Sequence, residues 1–154
     1  MGNVHSKRIL SLIYNDILRE GVRVFVETEA ALDLVHSLKS FDQSTVAVLN
    51  TPIDLALIDL DLPDRSSLEA IRCVRATRAE AWIVGLTTYK PDERIEEALL
   101  WGASAVIGKH EISKAILEWL HNPNPVKPVS CTRTPAWRTY LRGFLTHDDK
   151  KRFW

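Results

Sequence analysis

The sequence is poor in cysteine and in long apolar runs, and each shortage excludes a class of protein. Two cysteines, Cys73 and Cys131, are too few for a disulfide framework, so a reducing, cytosolic setting is expected. No spacing of cysteine and histidine fits a zinc site. No apolar run approaches the roughly 20 residues that span a bilayer, and the N-terminus lacks the apolar core of a signal peptide. We therefore expect no membrane association.

Glycine is scarce too, and no glycine-rich loop of the kind that cradles a phosphate is present. Serine, histidine and aspartate do not occur in an order that has the context of a hydrolase. The sequence therefore gives little support to a small α/β enzyme or a metabolite-binding module. An apolar fraction of 45% in 154 residues predicts one globular domain with room for an appendage.

The formal net charge is zero, but the two ends of the chain have opposite charge balances. Residues 1–121 hold 13 basic and 18 acidic side chains, whereas residues 122–154 hold seven basic and two acidic ones. Three prolines close to this break prevent a continuing helix. We predict an acidic domain at 1–121, a proline-rich linker at 122–133 and a basic, aromatic helical tail at 134–154. The tail either contacts nucleic acid or only improves solubility.

Apolar segments of strand length alternate with helix-like segments through the acidic domain. The predicted strands lie at 9–13, 32–38, 54–60, 82–86 and 103–107, and the predicted helices at 17–26, 44–49, 68–75, 91–100 and 112–120. Five such alternations predict an α/β fold whose parallel sheet is covered on both faces. The functional residues of such sheets lie at the carboxyl ends of the strands.

Three side chains of complementary chemistry stand at the ends of successive predicted strands. Asp59 follows the third strand, Thr87 the fourth and Lys109 the fifth. A carboxylate is a competent nucleophile toward a phosphoryl group, and a hydroxyl and an ammonium bind phosphoryl oxygens. We expect the three to converge on one pocket, in which Asp59 and Lys109 form an ion pair.

These motifs carry a family resemblance. The segments LIDLDLP at 57–63, VGLTTY at 84–89 and EALLWGASAVIGK at 97–109 resemble the receiver domain of bacterial response regulators, specifically the NarL/FixJ (LuxR-type) family. The resemblance extends from about residue 8 to about residue 120. It implies a flavodoxin/CheY-like (βα)5 fold with strand order 2-1-3-4-5. It also implies phosphorylation of Asp59, a switch hydroxyl at Thr87 and an ion-pairing lysine at Lys109.

Departures from the family pattern make this receiver atypical. The family has an acidic pair after the first strand, which binds Mg²⁺ together with the phosphoacceptor. An ungapped match places Ile13 and Tyr14 there, and a shift of two residues offers Asn15 and Asp16. The family's aromatic switch position is Val106 here. We expect no bound cofactor. The alternative is Mg²⁺ held by Asp16, Asp59 and the backbone of Asp61.

The tail contains an apolar helical stripe formed by Trp137, Tyr140, Leu141 and Phe144. We expect it to pack on the receiver or on a second copy of the chain, with a partner-binding helix as the alternative. The Leu145-Thr146 pair that follows is similar to the opening of the family's helix-turn-helix output domain. The eight residues after Thr146 are too few for that domain.

The function expected from these features is two-component signal transduction and transcriptional regulation in the bacterial cytoplasm. The module is expected to act by homodimerisation or by binding a regulatory protein, and not as an enzyme. The alternative is a conventional regulator that a histidine kinase phosphorylates on Asp59, with at most slow self-dephosphorylation. DNA is expected to be contacted only through an output domain that this sequence does not contain.

Overall fold

The computed structural model describes residues 5–42, 45–88 and 93–122. The strands are β1 Lys7–Leu12, β2 Leu32–Leu38, β3 Leu55–Asp59, β4 Trp82–Thr87 and β5 Ala105–Gly108. The helices are α1 Asp16–Thr28, α2 Ser67–Thr77, α3 Glu93–Trp101 and α4 Ile112–His121. All paired strands are parallel, and their order β2-β1-β3-β4-β5 confirms the predicted topology. Apart from Asn122, the predicted linker at 122–133 and the predicted tail at 134–154 lie outside the described residues.

One predicted helix is wrong in type. The connection from β2 to β3, expected to be helical at 44–49, forms only a 3-10 helix, Val46–Asn50. Its valines have branched side chains that disfavour a regular helix, and Pro52 restricts the residue before it to an extended conformation. Thr51 is extended as this predicts, with a ψ of 136°, so the helical segment ends after five residues.

The central strand β3 is buried along its whole length, because helices cover both faces of the sheet. Leu55 and Leu57 belong to the core under α1 and α4, whereas Ala56 and Ile58 belong to the core under α2 and α3. Burying one large aliphatic side chain contributes about 1.5–3 kcal/mol. These contacts hold the carboxyl end of β3, where Asp59 lies, in a fixed position at the centre of the sheet.

Helix α1 begins immediately after β1 because Asn15 provides an N-cap. The Leu18 N–H donates to Asn15 Oδ1 at 2.9 Å, which satisfies one of the free amides of the first turn. Val22 and Val26 face the core. This short connection brings the backbone of Tyr14 over the end of β3. Among the described helices, none combines the length and apolarity that crossing a bilayer requires.

Helix α3 ends at Gly102, whose φ of 121° is a conformation that residues with a side chain rarely adopt. A Cβ atom here would lie 2.9 Å from Arg75 Cγ. The Arg75 guanidinium donates to the carbonyl oxygens of Gly102 and Ala81 and to Ser104 Oγ. Arg75 of α2 thereby connects the end of α3 to the residues that precede β4 and β5.

Candidate functional site

Asp59 is the buried acid at the carboxyl end of β3, with 1% of its surface exposed. Its Oδ1 accepts a hydrogen bond from the Asp61 N–H at 2.9 Å, and its Oδ2 accepts one from the Tyr14 N–H at 3.3 Å. The Ser67 hydroxyl, at the start of α2, donates to the Asp59 carbonyl oxygen at 2.7 Å. The backbone on both sides of the site therefore holds this carboxylate in place.

The ion pair expected between Asp59 and Lys109 is present. Lys109 Nζ lies 3.0 Å from Asp59 Oδ1 and 3.1 Å from Asp61 Oδ2, so one ammonium joins two carboxylates. Partial burial disfavours the charged ammonium, but the bonds to Asp59 and Asp61 outweigh that effect and raise the pKa of Lys109. Lys109 is therefore a charged group shared between the ends of β3 and β5.

Asp61, which the sequence predicts to contribute only its backbone, takes part in the site through its side chain. Its Oδ2 accepts hydrogen bonds from the Thr88 N–H at 3.1 Å and the Thr88 hydroxyl at 3.0 Å. Its Oδ1 lies 3.0 Å from an Arg94 nitrogen, an ion pair whose angles do not make a hydrogen bond. Burial would raise the pKa of Asp61, but the bonds from Lys109 and Thr88 lower it. In the sequence, only the spacing of Asp61 two residues after Asp59 indicates that its side chain could reach the site.

The region of the missing acidic pair does not bring a second carboxylate to Asp59. Ile13 is fully buried. Tyr14 is 47% exposed, and the centre of its ring lies 5.2 Å from the Lys39 ammonium. Asn15 caps α1. Asp16 has 66% of its side chain exposed and forms ion pairs with Arg19 at 2.6 Å and Lys39 at 3.0 Å. Hydrogen bonds from Arg19 and Lys39 lower the pKa of Asp16.

The two predicted switch positions lie on the neighbouring strands. Thr87 is buried at the end of β4 and pairs in register with Gly108 of β5. Val106 is buried in β5 beside Gly85 and belongs to the core over α2 and α3. The topology therefore brings Asp59, Thr87 and Lys109 to the same edge of the sheet, as expected.

A Mg²⁺ ion at this site would depend on the oxygen atoms around Asp59, and these atoms have partners in the structure. Mg²⁺ requires near-octahedral oxygen ligands and sheds its water reluctantly. Both Asp59 oxygens already accept hydrogen bonds, and the Lys109 ammonium lies between Asp59 and Asp61. The described residues contain no group of three or more acidic, histidine or cysteine side chains placed to hold a metal ion.

A groove of about 430 Å³ opens beside this network, between the loop after β3 and helix α3. Leu62, Arg65 and Arg94 are among the side chains that line it. Arg65 has a φ of 59°, so the loop makes a left-handed turn at a residue with a full side chain. The groove gives solvent a path to the Arg94 guanidinium.

Comparison with known proteins links this architecture to response regulators. The transcriptional regulatory protein LnrK of Bacillus subtilis strain 168 is 26% identical over an alignment of 121 positions, which covers 76% of this chain and 54% of LnrK. A LuxR-family two-component response regulator from Aurantimonas sp. SI85-9A1 has a TM-score of 0.64 and 23% identity. That match covers 75% of this chain and 83% of the Aurantimonas chain.

A CheY-like receiver domain protein from Methanospirillum hungatei JF-1 has a TM-score of 0.66 at 23% identity, over 77% of this chain and 93% of that one. No protein-family model matches the chain. The chain spans about half the length of curated relatives such as LnrK. These findings confirm the CheY-like fold and the resemblance to NarL/LuxR-type response regulators.

Proposed function

We propose that residues 1–121 are the receiver module of a transcriptional regulator, and that it signals through protein contacts without ordinary Mg²⁺-dependent phosphorylation. One observation carries this proposal. The carboxylate of Asp16 is turned to Arg19 and Lys39, so the residues after β1 supply Asp59 with no acidic neighbour, and the nearby Asp61 carboxylate is already held by Lys109. In this proposal the module is a regulator and not an enzyme. It acts in the cytoplasm, as the sequence predicts.

The transcriptional part of the proposal rests on the relatives. LnrK is named as a transcriptional regulatory protein, and the Aurantimonas protein as a two-component response regulator. Both names favour a role in gene regulation over catalysis. The described residues include no helix-turn-helix, so contact with DNA would need an output domain elsewhere in the protein. A histidine kinase or another regulatory protein is the expected partner for the receiver.

Acetyl phosphate provides the direct test. The full chain would be incubated with acetyl phosphate and Mg²⁺, and its mass measured intact by mass spectrometry. We expect no species heavier by one phosphoryl group, with a conventional receiver domain as the positive control in the same buffer. A phosphorylated species that disappears in Asp59→Asn would contradict the proposal.

A conventional phosphorylated receiver is the second candidate, and one observation favours it. Asp59, Thr87 and Lys109 stand at the carboxyl ends of three neighbouring strands, as phosphoryl transfer to an aspartate requires. Mg²⁺ would then have to displace Lys109 from Asp59. Titration with Mg²⁺ separates the candidates, because the second predicts saturable binding that is lost in Asp59→Ala. The first predicts none at millimolar concentrations.

The protein contact that we propose is a homodimer, and helix α1 offers a surface for it. Ile17 is 85% exposed and Val24 is 49% exposed. They are seven residues apart, so they lie on the same side of the helix. Gly21 lies between them, with open space where a Cβ atom would be. A second copy of the chain that covered this stripe would remove exposed apolar surface from water.

A further inference from the structure

A second groove opens at the amino ends of the strands, at the opposite edge of the sheet from Asp59. Its volume of about 500 Å³ is typical of the pockets in which proteins hold ligands. The walls of this amino-end groove come from the residues before β3, the loop between α2 and β4, the start of β4 and the end of α4. Ile53, Trp82 and Trp119 are its large apolar residues. An aromatic side chain that entered it would find apolar surface to cover.

The charges of the amino-end groove nearly cancel. Two acidic and two basic side chains line it, namely Asp54, Glu80, Lys7 and Arg78. The Asp54 carboxylate pairs with Arg8 at 3.2 Å, and the Arg78 guanidinium donates to two carbonyl oxygens of the 3-10 helix. The groove therefore offers an occupant aromatic surface more than a charge of one sign.

The C-terminal tail of the chain starts beside this groove. The described structure ends at Asn122, three residues after Trp119 of the groove wall. Residues 123–136 separate that point from the apolar stripe of the tail, which begins at Trp137. A flexible coil of this length spans about 20 Å, so the stripe can reach the groove. A tether this short gives the stripe an effective concentration near the millimolar range.

The tail also complements the domain in charge and in chemistry. Residues 122–154 hold seven basic and two acidic side chains, whereas residues 1–121 hold 13 basic and 18 acidic ones. The two parts of the chain therefore attract each other at long range. At short range, the stripe consists of three aromatic side chains and one leucine, which gain free energy when they leave water.

We propose that the amino-end groove binds the tail of the same chain, through the aromatic stripe at 137–144. The inference goes beyond the proposed function, because the groove is remote from Asp59 and its use does not depend on phosphorylation. A bound tail would fix the direction in which the chain leaves the receiver after α4. It would also cover the exposed surface of Trp82 at the start of β4.

Hydrogen–deuterium exchange of the full chain, followed by mass spectrometry, tests the proposal. In the wild type, the amides of 137–144 should exchange at least about tenfold more slowly than those of an unstructured peptide of the same sequence. Ala79→Arg should abolish this protection, because Ala79 is an exposed residue of the groove and the added side chain would both fill the groove and repel the basic tail. Ala76→Arg is the matched control, since Ala76 is exposed on α2 but does not line the groove.

Two variants of the tail examine the same contact from the other side and leave the folded domain untouched. Trp137→Asp removes a ring of the stripe and should abolish the protection of 137–144. It should also speed exchange in the groove loop at 77–82. Thr139→Asp introduces the same charge away from the stripe and should keep at least half of the protection. If Ala79→Arg does not fold, this pair of variants still decides the question.

The proposal is overturned if the wild-type tail exchanges at the rate of an unstructured peptide. It is also overturned if either control loses as much protection as its matched variant. Protection that appears only as the protein concentration is raised would overturn it as well, because a second copy would then be binding the tail. None of these measurements involves acetyl phosphate or Mg²⁺, so their failure is distinguishable from failure of the proposed function.

Discussion

Asp59 shows how a single residue can be both buried and charged. An isolated carboxylate would be strongly disfavoured at 1% exposure, because the protein interior replaces little of its hydration. Here two backbone N–H groups and the Lys109 ammonium take the place of water. The complete cluster costs little free energy of unfolding, whereas the loss of one partner costs much more because it leaves an uncompensated charge.

The substitution Lys109→Met should therefore destabilise the domain. Removing one partner of a buried pair costs about 3–5 kcal/mol, and less where water reaches the remaining charge. Lys114→Met is the matched control, because Lys114 is exposed on α4 and lies 3.9 Å from Glu118. The control should change the free energy of unfolding by less than about 0.5 kcal/mol. Equal denaturation midpoints for the two variants would contradict a structural role for the pair.

Asp61 should make the stability depend on pH at the acid end. Its pKa is lowered in the folded state, so its contribution is fully present above the ordinary carboxyl value of 3.8. That contribution is lost as the pH falls through the lower folded value. Relative to Asp61→Asn, the wild type should keep a constant advantage from pH 7 to about pH 4 and lose it below. Urea denaturation at each pH measures the difference, and an advantage that grew on acidification would reverse the assigned sign.

At the scale of elements, the end of α3 depends on backbone conformation and on one arginine of α2. Gly102 has a φ of 121°, and its carbonyl oxygen accepts a hydrogen bond from Arg75 Nε at 3.0 Å. A side chain at this position would be strained and would also collide with Arg75. The connection from α3 into β5 therefore has little freedom, which matters because β5 carries Lys109.

Substituting Gly102→Ala should destabilise the domain by about 1–3 kcal/mol, through backbone strain and the contact with Arg75. The chain offers a control with the opposite sign. Gly21 lies inside α1 with no atom within 4 Å of an added Cβ, so Gly21→Ala should stabilise by about 0.5–1 kcal/mol. Chemical denaturation of the two variants measures both effects. A stabilised Gly102→Ala would show that the end of α3 adapts to a side chain.

At the scale of the whole molecule, the proposed homodimer predicts that the molar mass in solution depends on the α1 stripe. Ile17→Asp places a charge on the α1 stripe and should weaken self-association at least about tenfold, since burying an aliphatic side chain is worth about 1.5–3 kcal/mol. Val46→Asp is the control, because Val46 is also an exposed apolar residue but lies on the 3-10 helix. Light scattering over a concentration series measures both. A dimer that Ile17→Asp leaves intact would place the interface elsewhere.

Local pattern alone determined most of the fold. The apolar runs at β1, β3, β4 and β5 and the spacing in the helices predicted the elements, because burial on both faces leaves a signal in neighbouring residues. The connection between β2 and β3 is the exception, because it forms a 3-10 helix where the pattern predicts an α-helix. Pro52 and the branched valines limit its backbone conformations, and the periodicity does not show this. The pairing of Asp59 with Lys109 was also predictable, because parallel strands place their carboxyl ends at one edge.

The roles of Asp16 and Asp61 were decided by tertiary structure. In sequence, Asp16 is the candidate to replace a missing metal ligand. Its carboxylate instead pairs with Arg19, one turn along α1, and with Lys39, which tertiary structure brings from the end of β2. Asp61 was considered for its backbone alone, yet its side chain meets Thr88, Arg94 and Lys109. These partners are 27 to 48 positions away along the chain, and the register of the parallel strands and the position of α3 bring them to within 3.1 Å of the Asp61 carboxylate. Such contacts leave no periodic signal, because each depends on one rotamer at one strand end.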